Sequence, residues 1–122
     1  MSLFSLSCGA ASQQELVEGG IYVTPAENGG YHALKILKLD DRGVHVRLYS
    51  NRFSSVPSHI DETELYMAGV DHKPDESLGM GHAPLSKQSF AMWNVQFVQQ
   101  STVSPEELEG YEMWREAEGG YF

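Results

Sequence analysis

The chain reads as a single α+β domain, a strongly bent antiparallel sheet with an α-helix packed across it at the C-terminus. Three observations carry that reading. In Val44-His-Val-Arg-Leu-Tyr49, the apolar Val44, Val46 and Leu48 alternate with His45, Arg47 and Tyr49, the period of two that gives a strand one buried and one open face. Tyr31–Leu39 precedes this run across Asp40-Asp41-Arg42-Gly43, so the two runs make a hairpin. Further on, Ser104-Pro105-Glu106-Glu107 sets an N-cap serine, a proline at the first helical position and a glutamate at the third, and Leu108, Tyr111 and Trp114 recur at helical spacing behind it.

The elements follow in order. Residues 1–11 hold few large apolar groups in small, polar surroundings and predict a mobile arm. Ser12-Gln13-Gln14-Glu15 has the spacing of a capping box, opening one helical turn that Gly19-Gly20 ends. Ile21–Thr24 is the first strand, stopped by Pro25, and Asn28-Gly29-Gly30 is a turn. In the hairpin, Gly43 is expected to supply a positive φ. Pairing Leu39 with Val44, Lys38 with His45 and Leu37 with Val46 puts Leu37, Leu39, Val44, Val46 and Leu48 on the core face. Leu34, Ile36, His45, Arg47 and Tyr49 then share the other face, which is apolar enough to need a second layer or to serve as a binding patch. Residues 51–60 read as an irregular crossing, Thr63–Gly69 as a strand, 70–84 as a long loop, Ser86–Trp93 as a short helix capped by Ser86, and Val95–Gln100 as a strand. The last helix runs from Pro105 to about Ala117 and ends at Gly119-Gly120. A β core over 18–70 and a helix-strand-helix extension over 86–122 complete one domain over 1–122.

A chain of 122 residues suits one core, since a domain of this size hides roughly 65% of the surface of its unfolded chain. Eight basic against 17 acidic residues give a net charge of −9. That field repels polyphosphate and anionic lipid, so nucleic acid and membrane surfaces are poor partners and a basic protein is a natural one. More than half of the excess charge falls in the last helix, where Glu106, Glu107, Glu109, Glu112, Glu116 and Glu118 face only Arg115. Cys8 stands alone, so no internal disulfide forms and a reducing, cytoplasmic setting is expected. The apolar run before Cys8 is too short and lacks the basic start of a signal peptide, and no run approaches the ~18 apolar residues that span a bilayer.

Gly20-Ile21-Tyr22, followed by Gly30-Tyr31 and the hairpin, resembles the small SH3-like or Tudor-like barrels of bacterial proteins over roughly residues 18–70. The resemblance implies a binding surface without naming its ligand. Because Tudor-like barrels hold cationic groups between aromatic rings, it also implies a cage from Tyr22, Tyr49 and Phe53, against which stands ordinary core packing of aromatics.

Other chemistry finds weaker support. His72, Asp75, Glu76 and His82 supply ligand types that suit a divalent ion, yet no pair has the helical i, i+4 spacing of a recognisable site, so surface histidines in a polar loop are the plainer reading. His45 reads as solvated beside Lys38 and Arg47. Ser86 lies near His82, but a helix cap explains the serine better than a hydrolytic nucleophile. Neither Gly29-Gly30 nor Gly79-Met80-Gly81 completes a phosphate-binding fingerprint, so no catalytic residue and no cofactor is expected.

The acidic helix carries the sharpest expectation. If Leu108, Tyr111 and Trp114 pack inward, Glu106, Glu109, Glu112 and Glu116 are left on the open faces, where dense carboxylate attracts a basic partner at long range. In charge and size the chain is similar to small acidic bacterial proteins that neutralise basic toxins. The sequence therefore predicts a non-catalytic protein-binding domain of the immunity or antitoxin type. A small-ligand or modified-residue module using the aromatic cage is the alternative, and a metal-dependent enzyme using His72 and His82 a weaker one.

Overall fold

A four-strand meander and a fifth strand that returns beside the first make one antiparallel sheet. The computed structural model describes residues 16–27, 29–71, 73–74 and 76–122. The N-terminal arm, the capping box at Ser12–Glu15 and Asn28 lie outside them. The strands are β1 (Gly20–Pro25), β2 (Tyr31–Leu39), β3 (Gly43–Phe53), β4 (Met80–Ser86) and β5 (Gln96–Gln100), in the spatial order β4-β3-β2-β1-β5. Every pairing is antiparallel, and the sheet is open, with β4 and β5 as its edges. Two short helices accompany it, α1 (Lys87–Ala91) and α2 (Glu109–Glu116).

The turn between β2 and β3 is held by a side chain. Asp40 accepts from the backbone N–H groups of Arg42 and Gly43, each at 2.8 Å, so the carboxylate does the work expected of glycine geometry. Positive φ falls on Gly19, Gly29 and Gly30 and not on Gly43. Gly43 is required for a different reason: a Cβ there would lie 2.5 Å from the Leu85 carbonyl oxygen and collide with the Tyr121 ring. The expected pairs Leu39–Val44 and Lys38–His45 are present, but a bulge between Ile36 and Lys38 then shifts the register, so that Ile36, not Leu37, faces Val46. An extra residue on one strand reverses the facing of everything beyond it. Leu34 and Ile36 therefore belong to the core face with Val44, Val46 and Leu48, and Leu37 leaves it.

Both faces are covered. On the first, Tyr22, Leu34, Ile36, Val46 and Leu85 pack beneath Phe90 of α1, with Leu16, Trp93 and Val95 around them. On the second, Ile21, Val23, Ala33 and Tyr49 pack beneath Ile60, with Phe53, Leu65 and Val98 at the margin. Of the second layer and the binding patch left open for the second face, the layer is present, supplied by irregular chain whose backbone must find partners elsewhere. Gln99 meets that need by accepting from the Ile60 N–H at 2.8 Å and donating to the Ile60 carbonyl at 2.9 Å.

Two expected segments differ. Thr63–Gly69 is not a strand: Asp61 caps a single 3-10 turn over Glu62–Glu64, and the chain then runs beside the end of β3, held by hydrogen bonds of Glu64, Tyr66 and Ala68 to Ser50 and Asn51, to an isolated bridge at Ala68–Leu78. The supposed loop 70–84 becomes β4 from Met80 onward, with Gly81 and Pro84 inside it. Proline is tolerated there because β4 is an edge strand. A capping box at Ser104 is present, with Glu107 N–H donating to Ser104 Oγ at 3.3 Å and Ser104 N–H donating to Glu107 Oε1 at 2.9 Å. Its first turn is tighter than an α-helix, made of three-residue hydrogen bonds up to Glu109, where α2 begins. Glu118, at φ 54°, ends the helix in a Schellman arrangement, with Gly119 N–H on the Trp114 carbonyl. Among the described residues no helix is long and apolar enough to cross a membrane.

Lys35 ties the second layer together. Its ammonium, buried beneath the layer, donates to the Thr102 carbonyl at 2.8 Å and to Glu107 at 3.0 Å, with Glu62 at 3.5 Å. Both coverings of the second face thus converge on one charge. Burial opposes ionisation of Glu107, but the Ser104 N–H and Lys35 outweigh it and keep the carboxyl below its ordinary range. Replacing Lys35 by methionine would strand that carboxylate, and we predict a loss of about 2–3 kcal/mol in urea unfolding, less than for a wholly buried pair because Glu107 keeps some solvent. The double replacement with Glu107→Leu should recover much of it.

Candidate functional site

The residues with the densest polar and aromatic contacts lie where the chain's last segment meets β3 and β4. His45 points from β3 to the second face and is completely buried. Its Nδ1 lies 2.9 Å from His82 Nε2, and its Nε2 lies 3.1 Å from both Asp40 Oδ2 and the Tyr121 hydroxyl. Tyr121 in turn donates to Asp40. Three rings enclose the imidazole edge-on: Trp114 at 4.5 Å, Tyr111 at 4.8 Å and Tyr121 at 5.3 Å between centroids. Lys38 and Arg42 cover the Tyr111 and Tyr121 rings, at 5.8 and 5.5 Å. His45 is therefore not the solvated histidine expected from its charged neighbours.

This seat holds α2 and the chain end against the sheet. Gly110 permits the approach, since a Cβ there would fall 2.8 Å from the Cβ of His82. Beyond the helix, Trp114 Nε1–H donates to the Gly120 carbonyl at 2.9 Å. Phe122 then pairs with the β4 edge, donating to Pro84 O at 3.0 Å and accepting from Ser86 N–H at 2.9 Å. Two backbone groups of an exposed strand edge are satisfied in this way.

Charge in the cluster is set by its surroundings. Burial works against an ionised Asp40, but hydrogen bonds from Tyr121, His45, Arg42 N–H and Gly43 N–H prevail and hold its carboxyl well below the usual carboxylate range. Burial, aided by the bond to Asp40, raises the Tyr121 phenol to about 12. For His82, burial first and the facing His45 second push the imidazole down to about 4, so it is neutral at physiological pH. Asp40, His45 and His82 form a carboxylate–imidazole–imidazole chain in which both His45 nitrogens are bonded, and through Tyr121 it anchors the chain end to the sheet.

Outside this anchor, α2 presents acid. Its inward residues are Tyr111 and Trp114, and its outward residues are Glu109, Glu112, Met113 and Glu116, with Glu106 exposed on the turn before it. Met113 is 67% exposed in the middle of these carboxylates. Arg115 is spent on Glu112.

The other residues singled out in the sequence are dispersed. Tyr22 is buried on the first face, accepting from Val17 N–H at 2.9 Å, whereas Tyr49 is buried on the second and Phe53 packs at that layer's margin. Strand parity separates the rings across the sheet, so they form no cage. His72 and Asp75 lie outside the described residues, and Glu76 bonds within its own loop to Tyr66 and Lys73 N–H. Among the described residues no group of three metal-ligating side chains is assembled. Ser86 caps α1, accepting from Ser89 N–H at 3.1 Å. Four residue steps along β4 separate it from His82, roughly 13 Å at strand spacing.

Comparison with known families, with curated proteins and with solved structures finds no match for this chain. The geometry itself therefore defines the class: an open five-strand antiparallel sheet that carries an acidic helix on a buried histidine anchor.

The anchor predicts a pH dependence. An unfolded histidine takes up its proton near 6.5 while folded His82 resists until about 4, so protons favour the unfolded chain and stability falls as pH drops through that interval. His32, also lowered by burial, adds in the same direction, and the Asp40 contribution is lost only at lower pH still. The share of His82 is on the order of 1 kcal/mol once solvent screening of this half-exposed ring is counted. Thermal unfolding followed across the interval should show the loss, and H82Q should flatten the slope without abolishing it.

Proposed function

We propose that this protein is a non-catalytic binding domain whose C-terminal acidic helix engages a basic protein, in the manner of an immunity or antitoxin protein. The observation that carries the reading is display. Tyr111 and Trp114 clamp the inner side of α2 onto buried His45, so the outer carboxylates stand on a fixed frame instead of a floppy tail. A rigid acidic surface loses little conformational freedom on binding and steers an oppositely charged partner before contact. Met113, exposed among Glu109, Glu112 and Glu116, offers an adaptable apolar centre within a charged rim. The chain's net charge of −9 adds long-range attraction for the same partner.

The likeness to SH3-like and Tudor-like barrels belongs to this reading as the expectation of a binding platform. The return of β5 to the side of β1 supports it, because such a path curls a twisted sheet towards closure, although β4 and β5 remain unpaired with one another. A reducing cytoplasm and a partner other than nucleic acid or lipid complete the proposal.

Affinity capture from the native cell at low salt should retain a basic protein that high salt releases. The double variant E109K/E112K reverses two charges on an outer face, so the fold should persist while affinity falls about tenfold or more, mainly through slower association. Unchanged affinity in that variant would reject the acidic helix as the contact surface.

A further inference from the structure

The contact between His45 and His82 limits the charge that the seat of α2 can hold. With ring planes 8° apart, centroids 5.1 Å apart and His45 Nδ1 at 2.9 Å from His82 Nε2, the two imidazoles lie edge to edge in nearly one plane. That is the geometry of a single N–H···N bond, in which one nitrogen donates and the other accepts. An accepting ring nitrogen carries no proton, so at least one of the two rings is neutral whenever the contact exists. Were both rings imidazolium, two N–H groups would point at each other across one gap, and the bond would be lost.

The surrounding charge suits one proton and not two. Asp40, at 3.1 Å from His45 Nε2, balances a first imidazolium, while Tyr121 brings only a neutral hydroxyl to the same nitrogen. Cations flank the rest of the seat: Lys38 of β2 lies over the Tyr111 ring, Arg42 of the turn over the Tyr121 ring, and Arg47 of β3 on the Gly81 carbonyl beside His82. Glu107, which Arg47 approaches at 3.9 Å, is committed to Lys35. A second proton therefore enters a place already short of acid.

The last segment of the chain rests on this pair. Gly110 packs on the His82 Cβ, Tyr111 and Trp114 flank the His82 ring at 6.2 and 6.0 Å between centroids, and the same two rings with Tyr121 enclose His45. A His82 ring that withdraws from His45 breaks the surface beneath α2. The start of the segment is fastened separately, by Glu107 on Lys35.

We propose that the His45–His82 pair is a proton-operated latch: entry of a second proton releases α2 and the chain end from β3 and β4, pivoting on the Lys35–Glu107 tie, while the sheet stays folded. Released His82 titrates near 6.5 and docked His82 resists until about 4, so protons favour the open form as pH falls through that interval. One proton taken up on opening raises the open-to-docked ratio by up to about tenfold per pH unit. The tie persists there, because Lys35 and the Ser104 N–H keep the Glu107 carboxyl below its ordinary range. This local release precedes any loss of the whole fold and is independent of what α2 binds.

Amide hydrogen exchange of the free wild-type protein, taken as protection relative to the intrinsic rate at each pH, reads the release. The N–H groups of Ala117, Gly119 and Phe122, bonded to the Met113, Trp114 and Pro84 carbonyls, should lose about tenfold or more of their protection between about pH 7 and pH 5. The ladder amides of β1 and β2 should keep theirs, and the ring-nitrogen shifts of His82 should report proton uptake over the same range. H82Q supplies an amide that can bond His45 but takes up no proton, so α2 in this variant should stay protected at the lower pH. The proposal is overturned if the α2 amides keep their protection down to about pH 4, if they lose it only together with the β1–β2 amides, or if a docked H82Q opens with the wild-type pH dependence. Should H82Q fail to seat α2 at neutral pH, the wild-type exchange and ring shifts decide alone.

Discussion

A histidine ring withdrawn from water must find partners for both nitrogens or lose more than its burial gains, and His45 finds them in three directions at once. Asp40 comes from the turn behind it, His82 from the neighbouring strand, and Tyr121 from the end of the chain. Elements separated by 76 residues in sequence are thereby fixed to one ring. The placement of α2, the close approach at Gly110 and the pairing of Phe122 with the β4 edge all follow from that ring being where it is.

The two faces of the sheet divide the work. The first is an ordinary apolar core closed by α1. The second is part apolar and part ionic: Ile21, Val23 and Tyr49 pack under Ile60, while Lys35 and His45 act as polar rivets for the segments that lie over them. Rivets of this kind select one placement of the covering chain, because a shifted helix would take Glu107 from Lys35 and Tyr121 from His45. A helix that cannot slide presents its carboxylates in a constant pattern.

Much of this was legible in the residues. Period-two alternation in Val44–Tyr49 located the hairpin, Ser104-Pro105-Glu106-Glu107 located the start of the last helical segment, and Ser86 announced α1. Apolar groups on both faces of β2 and β3 left a second layer and a binding patch open, and did not show which residues faced it, because the bulge near Leu37 leaves no mark in composition. β4 was hidden by Gly81 and Pro84, which an edge strand accepts and a central strand would not. His45 was misread because Lys38 and Arg47 beside it suggested solvent. The overlooked signal was the run of rings at Tyr111, Trp114, Tyr121 and Phe122, more aromatic surface than so short a tail can bury on itself and therefore in need of a landing place on the sheet.

The central claim is that the helix held by His45 is the contact surface for a basic protein. Its most direct measurement is amide hydrogen exchange of the free protein and of its complex with the captured partner. The account predicts new protection concentrated between Glu106 and Glu116, with the β1–β2 amides unchanged. Protection confined to another surface, or none on α2 when a partner is bound, would contradict it.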